Sequence, residues 1–400
     1  VIKVHSLKKL YKIGNGPSSS HTIAPKRATE LFLAHYPDVD FVKVTLYGSL
    51  ALTGKGHLTD YIIDKTLGDI KHEIVFNYLE LMPHPNTMIF DGFKDHNLIA
   101  SKTIISIGGG SIKVLGEPLD EIKDVYPHKN LYEIKAYCKE NNLNYAQYVY
   151  KFDEGIKDYL EKIYDAMLDA IRRGLESEGT LHGDLHVVRK AKSLYYSHKK
   201  ENDELKRKRR IIAYAYAVSE ENASGGEIVT APTCGASGII PSCLRTMLDD
   251  QVSKDKLIDG LAVAGLFGNL IKFNASISGA EAGCQAEVGS ACSMASAMIA
   301  HVYDLSLDSI EQAAEIALEH HLGLTCDPIM GYVQIPCIER NAAAALRAFD
   351  ASTMASMLNS KEAKISFDLV CKTMLETGRD LGESYRETSI GGLARNYSSR

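Results

Sequence analysis

The 400-residue chain is 45% hydrophobic and carries 45 Lys and Arg against 51 Asp and Glu, a formal charge of −6. That length and apolar fraction suffice for a sizeable core and two or three domains, which excludes a disordered tail or a disulfide-stapled miniprotein. The mildly acidic balance gives no general reason to expect nucleic-acid binding, and the most basic stretch, HKKENDELKRKRR at 198–210, mixes its cations with acids as a solvated linker or helix face does.

The first 22 residues turn polar and glycine-rich before an apolar region can develop, so no secretory signal is expected. GPSSSHT at 16–22 then delivers three hydroxyls, an imidazole and a further hydroxyl ahead of a helical run, PKRATELFLAHY. The free N–H groups of a first helical turn attract an anion, and the hydroxyls can complete a carboxylate-sized nest in which His21 moves a proton. The same residues also serve as a simple N-cap with spare hydroxyls. FVKVTLYGS at 41–49 alternates as a strand with Val42, Val44 and Leu46 on one face. GKGHLTD at 54–60 places His57, Thr59 and Asp60 before the helical TDYIIDKTLG, with Asp60 as a possible cap. NTMIFDG at 86–92 and KTIISIGGGSIKVLG read as further strands. The SIGGGS turn lacks the glycine spacing of a nucleotide loop.

From Gly155 the period changes, with Ile156, Leu160, Ile163, Met167 and Ile171 recurring at three and four. Helices are expected over 206–221, 238–249, 257–272, 280–303, 309–321, 339–358 and 363–377, with no strand among them. The fold class is therefore α+β, an N-terminal α/β domain over 1–150 followed by a mainly α-helical domain over 151–400, with the boundary near 145–155. The apolar windows 261–271 and 288–300 are too short and too rich in small residues to span a bilayer, and read as buried helices. Eight cysteines are too sparse for a disulfide scaffold, and seven of them fall between Cys234 and Cys371. A reducing cytoplasm suits them, as small hydrophobes or as metal ligands. Cys284, Cys326 and Cys337 fit either use, the last two on an irregular connection containing Pro328, Gly331 and Pro336. Cys138, Cys292 and Cys371 read as core residues, and Cys234 and Cys243, which flank GASGIIPS, fit either the lining of a cleft or a glycine-bounded turn before a helix.

Taken in order, GPSSSHT, GKGHLTD, SIGGGS, IVTAPTCGASGIIPS, GCQAEVGSACSMASA, CDPIMGYVQIPCIERNA and TGRDLGESYRETSIGGLA resemble the single-chain form of the iron-sulfur L-serine dehydratases, or L-serine ammonia-lyases, from about residue 10 to 396. The resemblance implies a helical catalytic domain holding a [4Fe-4S] cluster on Cys284, Cys326 and Cys337, with the fourth iron open to substrate. It implies substrate-binding roles for Ser18, Ser19, Ser20, Thr22, Thr59, Asp60 and Asn341, and catalytic roles for His21 and His57. His21 is favoured as the base, with His57 assisting, although the two roles are interchangeable at this level. The implied reaction converts L-serine to pyruvate and ammonia through aminoacrylate, in amino-acid breakdown and gluconeogenesis, and the implied assembly is a cytoplasmic homodimer acting without nucleic acid or membrane. Two departures stand out. The sequence ends NYSSR, so the C-terminal cysteine that occupies the site in some relatives is not expected, and GTLHGDLHVVRKA has His182, Gly183 and Asp184 where relatives often carry Pro-Gly-Gly. The rivals are a cluster enzyme acting on threonine or cysteine, a pyridoxal phosphate enzyme, for which no compelling lysine motif exists, and a non-enzymatic iron-sulfur sensor.

Overall fold

The computed structural model describes residues 4–80, 82–84, 86–107, 109–117, 125–197, 200–387 and 390–398. Gly108, His198 and Lys199, which belong to the SIGGGS and basic stretches, lie outside the described residues, as do Thr388 and Ser389 of the last motif. The chain divides into two units. The smaller comprises Gly14–Glu121 and Ser224–Glu227, and the larger Val1–Ile13, Ile122–Ala223 and Ile228–Arg400.

The smaller unit is a five-stranded mixed sheet covered by two helices. Helix α1 (Ala24–His35) is followed by β1 (Phe41–Tyr47), α2 (Thr59–Leu67) and β2 (Lys71–Asn77), then β3 (Thr87–Lys94), β4 (Asn97–Ser106) and β5 (Ile112–Val114). The spatial order is β2-β1-β3-β4-β5, with β1 and β2 parallel and the other pairs antiparallel. The parallel pair follows from the helical crossover through α2, and the antiparallel strands from short connections. Val42, Val44 and Leu46 are fully buried, as their alternation predicts, and pair with Gly92, Phe90 and Met88 on β3. Phe32 of α1 and Ile62, Ile63 and Leu67 of α2 close the same core. The SIGGGS segment joins β4 to β5, with Ile107 N–H bonded to Ser111 O and the Gly110 carbonyl taken by the Arg27 guanidinium. It serves as a hairpin connection.

The larger unit is helical. Its core is built from α3 (Leu131–Glu140), α4 (Tyr145–Phe152), α5 (Ile156–Glu176), α6 (Asp203–Ala223), α7 (Ile239–Asp249), α8 (Lys254–Asn274), α9 (Ser290–Val302), α10 (Leu307–Glu319), α11 (Cys337–Met357) and α12 (Phe367–Asp380). Helix α9 is buried along almost its whole length because its Ala, Ser and Cys residues allow neighbours to approach closely. Its hydroxyls are satisfied by neighbouring carbonyls, Ser293 Oγ on Ala314 O at 2.7 Å and Ser296 Oγ on Ala313 O at 3.0 Å. Among the described residues one helix, α8, is long and apolar enough by composition to cross a membrane, and 78% of its apolar window is buried.

Three expectations are revised. The division between units falls at 121/122 rather than at 145–155, because α3 and α4 join the helical core through Ile134, Cys138, Tyr145, Tyr148 and Val149. Their start signals are Asn130, which caps Glu133 N–H, and the Asn144–Gln147 capping box. Residues 4–13 also belong to the helical unit. Leu7, Leu10 and Tyr11 are buried in it, and the Asp153 carboxylate accepts from Ser6 Oγ, Leu7 N–H and the Tyr126 hydroxyl. The helix expected over 280–303 is broken at Gly283, and a three-residue strand, Glu227–Val229, interrupts the helical succession.

Candidate functional site

In the smaller unit GPSSSHT forms a wide helical turn, Ser19–Ile23, that runs directly into α1. The turn lifts His21 to face the loop after β1. His21 Nδ1 lies 3.0 Å from Ser20 Oγ and 3.3 Å from Ser18 Oγ, while Nε2 lies 3.1 Å from Ser49 Oγ and 3.0 Å from Thr53 Oγ1. The Thr53 hydroxyl donates to Ser49 O at 2.8 Å, so its oxygen is left to accept from Nε2–H and Nδ1 accepts from a serine. Burial, reinforced by the neighbouring His57, pushes the His21 pKa down to about 3.

His57 stacks on His21 with ring centroids 4.7 Å apart. Its Nδ1 sits 3.0 Å from Thr53 O, and because a carbonyl only accepts, Nδ1 carries the hydrogen and Nε2 keeps its lone pair. Burial also lowers the His57 pKa, so the ring is neutral at pH 7. The loop can turn this tightly because position 54 is glycine, where an added Cβ would stand 2.1 Å from Leu50 O. Of the other expected residues, Thr22 donates to Asn15 O at 2.7 Å and Thr59 to His21 O at 2.7 Å. Both hydroxyls therefore shape the nest from behind. Asp60 lies in the first turn of α2, its Oδ1 3.0 Å from Tyr61 N–H, and Ser19 opens the wide turn.

In the larger unit the Cys284, Glu287 and Cys326 ligand atoms all lie within 4.8 Å of one another. Gly283, at φ +75, ends the short helix Gly279–Ala282 and turns the chain so that Cys284 starts a second wide turn, Gln285–Gly289. The fully buried Gln285 side chain donates to Ala282 O and Met374 O and accepts from Gly323 N–H, fixing the loop that carries Cys326. Cys326 is held from the other side by Tyr385 O on its N–H and Glu387 N–H on its carbonyl. Cys337 is the first residue of α11.

The thiols are electrostatically linked. Cys284 is held below the ordinary thiol range by a hydrogen bond from Cys326 and by the Arg340 guanidinium, while Cys326 keeps the shared proton and is raised. Cys337 is raised by burial and by the charge on Cys284, although it lies outside the compact group. Burial, Glu387 and Cys284 together push the Glu287 carboxyl up. This donor set, two soft thiols on separate segments beside a carboxyl with the Cys337 thiol electrostatically coupled to them, suits a thiophilic metal centre. Four other cysteines have structural surroundings. Cys243 and Cys292 donate to Ala345 O and Ala344 O, and Cys138 and Cys371 are buried in the helical core.

Asn341 has both amide hydrogens engaged by the backbone, on Gly235 O at 2.7 Å and Cys337 O at 2.8 Å, and its Oδ1 accepts Gly238 N–H at 2.9 Å. It ties the 235–238 turn to the helix start bearing Cys337. Asn341→Leu is expected to leave the buried Gly235 carbonyl and Gly238 N–H without this partner, at roughly 1–3 kcal/mol each, and a denaturant titration checks it through a lower unfolding midpoint. The sequence reading missed Glu287, Gln285 and Arg340. The first carries a visible signal, since it stands three residues after Cys284 and a helical turn places such residues on one face. The 179–191 departure forms a closed turn in which Leu181 N–H meets Val187 O, and Gln334 donates to His182 O at 2.6 Å.

Comparison with known proteins adds the remaining observations. Residues 6–68 match the family model of the serine dehydratase beta chain and residues 85–394 that of the alpha chain. L-serine dehydratase 1 of Escherichia coli is 39% identical over 97% of this chain and 98% of its own length. The L-serine dehydratases of Helicobacter pylori and Streptomyces coelicolor are each 38% identical, covering 98% and 97% of this chain and 98% of their own lengths.

Proposed function

The chain belongs to the serine dehydratase family, with its beta-chain and alpha-chain parts in one polypeptide, and from that premise we propose that it is an L-serine ammonia-lyase that forms pyruvate and ammonia. The observation that carries this reading is the 39% identity to an L-serine dehydratase over nearly the full length of both chains. The grouped thiols of Cys284 and Cys326, with Cys337 electrostatically coupled to them, support a [4Fe-4S] cluster as the cofactor. When bound, such a cluster supplies a Lewis-acidic iron for a substrate hydroxyl, which lowers the cost of expelling hydroxide.

The protein's own groups handle the protons. His57 is organised as the base, because Thr53 O holds its Nδ1–H and leaves the Nε2 lone pair to take the α-proton of serine. The geometry thus favours exchanging the two histidine roles relative to the sequence expectation. His21, bonded through both nitrogens, orients the stacked His57 ring and links it to the Ser18, Ser20, Ser49 and Thr53 hydroxyls, through which a proton can reach the leaving hydroxyl. Ser18, Ser19 and Ser20 receive the substrate carboxylate. Loss of the α-proton and of hydroxide leaves aminoacrylate and water, and tautomerisation and hydrolysis of aminoacrylate give pyruvate and ammonia. The enzyme acts as a cytoplasmic homodimer, where reduced thiols persist.

Pyruvate formation from L-serine, L-threonine and L-cysteine, measured side by side on anaerobically reconstituted protein, tests the reading, with L-serine expected to be turned over fastest. Threonine or cysteine turning over faster would reassign the substrate. Air is expected to abolish activity before helicity declines, since the core of α8, α9 and α11 is held by buried apolar side chains. Parallel activity and circular dichroism time courses check this order.

A further inference from the structure

The SIGGGS hairpin does more than join two strands, because its Gly110 lies against the turn that carries the serines and His21. A Cβ added to Gly110 would stand 2.7 Å from Ile23 Cγ2 and 3.1 Å from Ile23 Cβ, both inside ordinary contact distance, and 3.6 Å from Ser19 O. Only bare backbone seats this closely, and φ +72 at Gly110 is a second reason for glycine. The Arg27 guanidinium, one helical turn beyond Ile23, donates to the Gly110 carbonyl at 2.9 Å and holds the hairpin in place. A second glycine meets the other branch of the same side chain, since a Cβ on Gly14 would stand 2.9 Å from Ile23 Cγ1 and 3.0 Å from Cδ1. The buried Ile23 side chain is therefore clamped between two glycines. The clamp matters because the turn is poorly closed by its own bonds. Thr22 N–H donates to Ser18 O at 2.8 Å, but Ile23 N–H reaches the same oxygen only at 3.4 Å, and Ala24 N–H reaches five residues back to Ser19 O. Wide turns of this kind are rare and recur at functional sites.

We propose that Ile23 and Gly110 are positioning residues for the reaction, with the SIGGGS hairpin as the backstop that holds Ser18, Ser20 and His21 in place beside His57. This role rests on the L-serine reading of the nest and adds a second layer to it. The serines receive the carboxylate and His21 orients the stacked His57 ring, so a shift of the turn weakens substrate binding and proton transfer together. Neither Ile23 nor Gly110 touches the substrate. Both act through the turn, whose displacement by about 1 Å is enough to cost roughly 10²-fold in rate.

The test compares wild-type protein with Gly110→Ala and Gly116→Ala, each reconstituted anaerobically and matched for iron and sulfide. Gly116 is the control, because it shares a left-handed backbone, φ +87, but a Cβ there meets nothing within 4 Å. Gly110→Ala is expected to lower kcat/KM for L-serine roughly 10- to 10²-fold, with KM raised as well as kcat lowered. A mere loss of folded protein would lower the apparent kcat and leave KM unchanged. Gly116→Ala should keep wild-type values of both. Hydrogen–deuterium exchange of the peptide spanning 16–24 reads the turn without turnover, and should accelerate in Gly110→Ala alone. Ile23→Ala removes the Cγ2 that the new Cβ would strike, so the Gly110→Ala/Ile23→Ala double variant is expected to be more active than Gly110→Ala. If Gly110→Ala does not fold, recovery of folding and turnover in the double variant reads the same contact. An unchanged KM in Gly110→Ala, an equal loss in Gly116→Ala, unaltered exchange of the turn, or a double variant no better than the single would each overturn the proposal. Wild-type protein that makes no pyruvate from L-serine would overturn the activity reading together with this one, whereas normal wild-type turnover with an unaffected Gly110→Ala variant would overturn this one alone.

Discussion

Replacing Cys284, Cys326 or Cys337 by Ser is expected to strip the iron-sulfur cluster and reduce pyruvate formation by roughly 10²-fold or more, because a hard, poorly ionised hydroxyl cannot stand in for a thiolate. The loss should be steepest for Cys284. Its thiol is already biased toward the thiolate by Cys326 and Arg340, so it is the ligand most ready to bind metal. Cys138→Ser and Cys371→Ser, both remote from the ligand group in the helical core, should keep normal iron and sulfide content. Iron and sulfide analysis with electronic spectra on anaerobically purified variants makes the comparison. Normal cluster content in the three ligand variants would remove them from the assignment.

His57→Ala is expected to lower kcat by roughly 10²- to 10⁴-fold while leaving the cluster spectrum unchanged, which is the usual worth of a positioned general base. His21→Ala should fall less, since its part is to orient His57 and relay protons. The pH profile supplies a second signature. The free imidazole is the active form, and burial lowers the His57 pKa, so kcat/KM should hold through neutrality and decline only as pH drops through a value below the ordinary histidine range. A decline centred at or above that range would assign the base elsewhere. At matched cluster occupancy, near-wild-type turnover by His57→Ala would pass the role to His21.

Much of this architecture was legible because its signals are local. The alternation of Val42, Val44 and Leu46 specifies a half-covered strand, and the three- and four-residue spacing from Ile156 specifies α5. The unit boundary was hidden because it depends on partners distant in sequence. Tyr145, Tyr148 and Leu7 are apolar in any reading, and only packing decides which core receives them. The break at Gly283 was masked by the surrounding Ala and Ser, which favour a continuous helix until the turn to Cys284 is needed.

The site divides in the same way. The histidines and cysteines stand out by residue type, whereas their states depend on neighbours that no spacing rule reveals. Thr53 contributes a hydroxyl to His21 and a carbonyl to His57, and so fixes which imidazole nitrogen is free. The Asn341 side chain is engaged by Gly235, Gly238 and Cys337, because a buried amide must satisfy its donors and these backbone groups are within reach.

The dependence of L-serine turnover on the proposed cluster underlies the other expected results. It is tested most directly by graded anaerobic reconstitution, with the rate of pyruvate formation plotted against cluster content per chain. The rate is expected to rise in proportion to cluster and to vanish without it. Pyruvate formed at an undiminished rate by metal-free protein, or none formed at full cluster occupancy, would contradict it.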